Sequence, residues 1–175
     1  MFDTRSSETT GYHIFLEPSG ELGRELQTVV NELAETHGGP SFPPHVTLLA
    51  RVEGADVHER TQALATSLEP FSLTLGPLDG EDEYFRAFYI RMEETAAVVA
   101  AHEKANALFG VEDARPYLPH ISLLYGNIPD VLREKLIAET RYPKGTVLEV
   151  SRLHLYETQG ATASWRKVGE FMLGA

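Results

Sequence analysis

Pro44-His45-Val46-Thr47-Leu48-Leu49 and Pro119-His120-Ile121-Ser122-Leu123-Leu124 agree at all six positions if Val is exchanged for Ile and Thr for Ser. The two hexapeptides stand 75 residues apart. A single histidine followed two positions later by a hydroxyl is weak evidence in a chain with seven histidines, but a matched hexapeptide in matched surroundings is strong. Each reads as a strand. Residues two apart share a face, so His45 and Thr47 lie on one side with Val46, Leu48 and Ala50 on the other, and His120 and Ser122 repeat that arrangement.

Working outward from the hexapeptides, the order of elements is duplicated. Before the first lies a strand at 11–17, with Tyr12, Ile14 and Leu16 on one face and His13, Phe15 and Glu17 on the other. A helix follows, carrying the stripe Leu22, Leu26, Val29, Val30 and Leu33 and stopped by Gly38-Gly39-Pro40. The strand at 45–52, a helix opened by Asp56 and running to about Leu68, and a strand at 71–78 that breaks at Asp79-Gly80 complete the first run. The second run has a strand at 84–92, a helix over about 94–109 ending at Gly110, a strand at 120–125, a helix over about 130–139 and a strand at 146–157. A closing strand at 165–173 has no counterpart. The pattern predicts an α+β fold in a single bilobal domain over 1–175, built from repeats 11–78 and 84–157. Two antiparallel sheets flanked by helices would leave a central groove, a usual place for a small-molecule site. The turn at 80–83 is too short for a flexible linker.

Composition narrows the function. At 175 residues, 42% hydrophobic and 23% charged, the chain can hide roughly 70% of its unfolded surface without disulfides or a structural metal. It contains no cysteine, which excludes disulfide frameworks, thiolate zinc sites, iron–sulfur clusters and cysteine nucleophiles. The polar amino end MFDTRSSETTG and the lack of a long apolar run predict a cytoplasmic protein without a membrane partner. Fifteen Lys and Arg against 26 Asp and Glu give a net charge of −11, which repels polyanions and argues against a duplex nucleic acid partner. Any phosphate is expected in a local pocket. No Walker or dinucleotide-binding glycine pattern is present.

Two imidazoles and two hydroxyls facing each other across a groove suit a phosphodiester. Hydrolysis at phosphorus needs a base for water and an acid for the leaving oxygen, and histidines with ordinary pKa near 6.5 supply both near neutral pH. The hydroxyls can donate to the non-bridging oxygens as charge develops. The scheme needs no metal and no cofactor. A catalytic zinc usually takes three protein ligands, and the motifs offer only two imidazoles. Of the other histidines, His37, His58 and His102 read as surface or packing residues, and His13 and His154 as structural residues with the parity to line the groove. Arg51 shares parity with His45 and Thr47; it is read as a solvated charge at a strand end, with a phosphate contact as the alternative.

These residues resemble the two-histidine phosphoesterases, whose signature is a pair of His-x-Thr/Ser motifs on the central strands of two pseudo-symmetric lobes. Within that superfamily the chain is most similar to the cyclic phosphodiesterases that open ADP-ribose 1″,2″-cyclic phosphate, a by-product of tRNA splicing. The likeness runs through GYHIFLEP, YFRAFYI, Tyr117 to Gly126, Leu155 to Thr158 and Ser164 to Val168. It implies a metal-independent phosphoric diester hydrolase acting on a small nucleotide cyclic phosphate. The family's catalytic quartet carries over to His45, Thr47, His120 and Ser122, and its substrate-contacting tyrosine to Tyr125. A first-strand aromatic, usually tryptophan in relatives, falls on Phe15. Strict alternation puts Tyr125 on the core face opposite His120 unless the strand ends before it. Two alternatives stand beside this reading: an RNA-end enzyme acting on 2′,3′-cyclic phosphates or 2′-5′ linkages, and a nucleotide-binding module without turnover.

Overall fold

The computed structural model describes residues 4–112 and 115–175, so the first three residues of the polar amino end lie outside it. Its strands are β1 (Glu8–Thr9), β2 (Tyr12–Leu16), β3 (Val46–Val52), β4 (Phe71–Asp79), β5 (Phe88–Met92), β6 (His120–Leu124), β7 (Val147–Val150), β8 (Arg152–Glu157), β9 (Gly160–Ala161) and β10 (Arg166–Met172). The helices are α1 (Gly20–His37), α2 (Val57–Thr66), α3 (Ala96–Phe109) and α4 (Asp130–Glu139). Short 3₁₀ turns occupy Tyr84–Arg86 and Thr162–Ser164. Among the described residues no helix is long and apolar enough to cross a membrane.

Local chemistry accounts for the helices that precede the two motifs. Leu26, Val30 and Leu33 of α1 are buried as its stripe requires, and Gly38 ends it at φ 80° with its N–H on the Ala34 carbonyl. In α3 the Thr95 side chain accepts from the Val98 N–H, and Gly110 closes the helix at φ 65°. A left-handed glycine thus releases the chain from a helix toward each histidine. Asp56 stands at the N-cap of α2 but makes no capping bond; its carboxylate accepts from Arg60 Nε at 2.9 Å instead.

The large sheet has the order β10-β8-β2-β3-β6-β5-β4-β7, all neighbours antiparallel. Four strands lie on each side of a central seam between β3 and β6. That seam is paired only at Val46↔Ile121, so the two halves diverge from a single point. Repeat boundaries and half-sheet boundaries do not coincide: β4 of the first repeat lies in the half containing β5 and β6, and β8 of the second lies beside β2. The expected strand at 146–157 is accordingly two strands, with Ser151 as the crossover from β7 in one half to β8 in the other. The expected strand at 84–92 begins as the 3₁₀ turn and extends only over β5.

Helices brace the seam. α1 packs on β6, and α3 packs on β3 and β4. Leu26, Val30, Val46, Leu48, Val98, Ala101, Ala105, Ile121 and Leu123 form the fully buried core beneath them. Burying such side chains contributes about 1.5–3 kcal/mol each for the larger ones. The rigidity that the one-pair seam cannot supply comes from this packing. The motif faces carrying the histidines are left on the other side of the strands.

Candidate active site

The register at the seam arranges the two motifs. Continuing Val46↔Ile121 by one residue in each direction sets His45 across from Ser122 and Thr47 across from His120. Each imidazole thus stands opposite the other motif's hydroxyl. All four residues line one groove of about 680 Å³, a size suited to a small ligand.

Both histidines are held in the same way. His45 Nδ1 lies 2.6 Å from the Pro43 carbonyl, and His120 Nδ1 lies 2.8 Å from the Leu118 carbonyl. A carbonyl only accepts, so each Nδ1 carries the proton and each Nε2 is left as the working nitrogen. Each ring also has an aromatic from the adjacent strand. Phe15 stacks on His45 at 3.6 Å and 19°, and Tyr89 lies tilted against His120 at 4.9 Å. Phe15 pairs with Thr47 and Tyr89 with Ser122, so the two aromatics occupy equivalent places.

The environments of the two rings then diverge. Burial lowers both imidazoles to about 4, which corrects the expectation of ordinary values near 6.5. At His45 the backbone bond and the Glu17 charge act in favour of the charged form. At His120 the backbone bond acts the same way, but the charges of Arg86, His45 and Arg115 oppose it. Arg86 pairs with Glu81 at 2.7 Å, and Tyr89 donates to the same carboxylate at 3.0 Å. His45 is ringed by aromatics, with Trp165 at 6.4 Å and Phe42 at 6.3 Å.

Tyr125 lies just past the end of β6, which resolves the parity difficulty. It is buried, stacks on Phe42 at 3.7 Å, and puts its hydroxyl 3.5 Å from His45 Nε2. Phe15 is 1% exposed with its ring against the imidazole. It stacks on the imidazole and is also one of the residues that line the groove. Trp165, Phe85 and Tyr117 are the partly exposed aromatics of the groove, and Trp165 stacks near Phe85 at 5.8 Å and 28° and near His13 at 6.2 Å and 19°. Ser122 donates to the Phe85 carbonyl at 2.8 Å. Thr47 is half-buried, and its own carbonyl accepts from the Tyr117 hydroxyl at 3.0 Å.

His13 and Arg51 also line the groove. His102, expected to be a packing residue, binds the Leu48 carbonyl at 2.7 Å and stacks on Tyr117 at 3.8 Å, bracing β3 from α3. His154 sits 3.2 Å from carboxylate oxygens of both Glu17 and Glu170. Sequence reasoning did not single out Trp165, Phe85, Tyr89 or Arg86 for the site. Tyr89 was findable as the repeat equivalent of Phe15; the others depend on how the connections fold over the groove. Among the described residues no group of three or more His, Asp or Glu side chains is placed to hold a metal ion.

Residues 18–162 match the model of the 2′-5′ RNA ligase superfamily. A cyclic phosphodiesterase of Arabidopsis thaliana is 23% identical over 121 residues, covering 68% of this chain and 67% of that protein. A 2′,3′-cyclic-nucleotide 3′-phosphodiesterase of Phaeosphaeria nodorum is 26% identical over 190 residues, covering 91% of this chain and 97% of that protein. Crystal structures of Escherichia coli LigT, in apo form and complexed with 3′-AMP, both superpose with TM-score 0.63 at 15% and 16% identity. They cover 95% of this chain and 98% and 99% of theirs. The paired His-x-Thr and His-x-Ser strands, the shared groove and the match over 18–162 place this chain in the 2′-5′ RNA ligase superfamily, the two-histidine phosphoesterases.

Proposed function

We propose that this protein is a metal-independent cyclic phosphodiesterase that opens ADP-ribose 1″,2″-cyclic phosphate to the 1″-phosphate by acid–base catalysis between His45 and His120. The observation that carries the reading is the pair of imidazoles with Nδ1 fixed on backbone carbonyls and both rings on one groove. His120 Nε2 takes a proton from water as its oxygen attacks phosphorus, and the bond to the leaving sugar oxygen breaks. That oxygen receives the proton carried on His45 Nε2. The cycle leaves His120 charged and His45 neutral, and exchange with solvent restores the starting state. Thr47 and Ser122 donate to the non-bridging oxygens, Ser122 after exchanging its bond to Phe85 for one to the phosphoryl group.

The asymmetry around the two rings supports these roles. Glu17 favours a proton on His45, the acid, whereas Arg86 and Arg115 favour the neutral form of His120, the base. The aromatic wall stands on the His45 side. In a nucleoside 2′,3′-cyclic phosphate a base stacked on Trp165 directs the leaving oxygen of its own ribose there, whereas in ADP-ribose 1″,2″-cyclic phosphate the ester lies on the distal ribose, which carries no base. With both rings lowered by burial, the charge on the acid is acquired together with the anionic substrate.

A nucleoside 2′,3′-cyclic phosphate is the second reading, favoured by the activity named for the fungal relative. The groove volume of about 680 Å³ lies in the range of small-ligand sites. The test is a turnover panel of ADP-ribose 1″,2″-cyclic phosphate, nucleoside 2′,3′-cyclic phosphates and short RNA with a cyclic-phosphate end, with phosphorus NMR of the products. The highest kcat/KM on the first substrate, with the 1″-phosphate as sole product, is expected. Preference for the RNA, or a mixture of 1″- and 2″-phosphates, would overturn the assignment.

A further inference from the structure

Strand β3 does not run evenly away from the histidine. Against β2 its register passes from Phe15↔Thr47 to Ile14↔Leu49 and then to Tyr12↔Val52, so β3 holds one extra residue at each step. Two successive bulges result, and a bulge re-aims the side chains that follow it. Arg51 lies in the second, at φ 56°, the one non-glycine residue with positive φ among the described residues. Left-handed backbone crowds a Cβ, and a bulge position of this kind ordinarily takes glycine. An arginine held there at the cost of strain marks a position whose side chain has a use.

Its surroundings indicate the use. Arg51 lines the groove, and so does Arg115, which comes from the connection between α3 and β6 on the other side of the seam. Arg115 is gripped by Glu83, with Nη1 to Oε1 at 2.5 Å and Nη2 to Oε2 at 3.3 Å. This two-point guanidinium–carboxylate contact is also the geometry of a bound phosphate. The Arg51 guanidinium is lowered by burial and then by the Arg115 charge, with Glu83 acting in the opposite direction. Glu8 and Glu112 also line the groove, with Glu83. From Thr47 to Arg51 an extended strand covers roughly 13 Å, less the shortening of the bulge. An anion held by Arg51 is therefore several bonds removed from the ester between the histidines.

We propose that Arg51 and Arg115 form a second anion subsite, so that the substrate is a cyclic phosphate carrying a further phosphate or diphosphate, with Glu83 holding Arg115 in place until the ligand arrives. The proposal rests on the phosphodiesterase reading and narrows its substrate class.

The test compares adenosine 2′,3′-cyclic phosphate with its 5′-phosphorylated counterpart, in wild type, Arg51→Gly and Arg115→Ala. Wild type is expected to prefer the 5′-phosphorylated ester. Arg51→Gly is expected to reduce that preference in kcat/KM by roughly ten- to hundred-fold, chiefly through KM. Its Tm should be at or above that of wild type, because glycine relieves the strained φ. A purely structural arginine would instead lower Tm and affect both esters alike. Equal kcat/KM changes on the two esters, or no wild-type preference, would overturn the subsite. If wild type turns over neither ester, the hydrolase reading is decided by turnover of ADP-ribose 1″,2″-cyclic phosphate, and calorimetry decides the subsite separately. Adenosine 3′,5′-bisphosphate should then bind more tightly than adenosine 3′-monophosphate, with the excess lost in Arg51→Gly; equal affinities would refute it.

Discussion

Binding of a phosphate-bearing nucleotide at pH 7 should draw up to one proton out of solution. Burial holds His45 and His120 at about 4 in the free protein, so roughly one ring in a thousand is charged at that pH. Bringing one ring to half-protonation requires a rise of about three pKa units, or about 4 kcal/mol. A unit negative charge about 4 Å from an imidazolium supplies about 4 kcal/mol at an effective dielectric constant near 20. The ligand is therefore sufficient for one ring, while the mutual repulsion of the imidazoles opposes charging of the second. His45 is the ring favoured by Glu17. Calorimetric titration with a nucleoside 3′-monophosphate, in phosphate-free buffers of equal pH and different ionisation enthalpy, counts the protons directly. We expect uptake of about 0.5 to 1 proton in wild type and near zero in His45→Ala. Saturable binding with no uptake, or with proton release, would refute the reasoning.

Three further outcomes follow from the same geometry. His13, His45 and His120 are held near 3, 4 and 4 in the fold, against an unfolded value near 6.5. The unfolded chain therefore binds more protons between about pH 6.5 and 4, and each ring should remove about 1.4 kcal/mol of stability per pH unit on acidification through that window; Tm unchanged from pH 7 to 4.5 would contradict this. Trp165→Ala should raise KM about tenfold with kcat little changed, through loss of stacking, and an unchanged KM would remove Trp165 from substrate binding. Phe15→Leu should admit water to His45 and raise its titration midpoint, leaving His120 in place; an imidazole NMR titration with His45 unmoved would show that the stack does not control it.

The matched hexapeptides made both central strands and both histidines legible, because strand alternation is a local rule. The glycine stops at Gly38 and Gly110 and the helix over 130–139 were equally readable from their own residues. What escaped was non-local. Nothing in the run 146–157 marks Ser151 as the point where the chain passes from one half-sheet to the other, because both pieces alternate as strands. Phe15 has the parity of a groove residue and does line the groove, but only the packed structure shows its ring stacked on the His45 imidazole. The lowered histidines belong to the same class, since burial depends on every element around the groove.

The central claim is that two imidazoles move the protons, His120 from water and His45 to the leaving oxygen. The most direct measurement is kcat/KM for folded His45→Ala and His120→Ala on the best cyclic ester and on its counterpart with a thio leaving group, which needs little acid help. Each variant should lose about 10²- to 10⁴-fold on the oxygen ester, and the thio ester should restore His45→Ala far more than His120→Ala. A folded His45→Ala protein with near wild-type kcat/KM on the oxygen ester would contradict the two-histidine mechanism, and rescue of His120→Ala alone would contradict the roles assigned here.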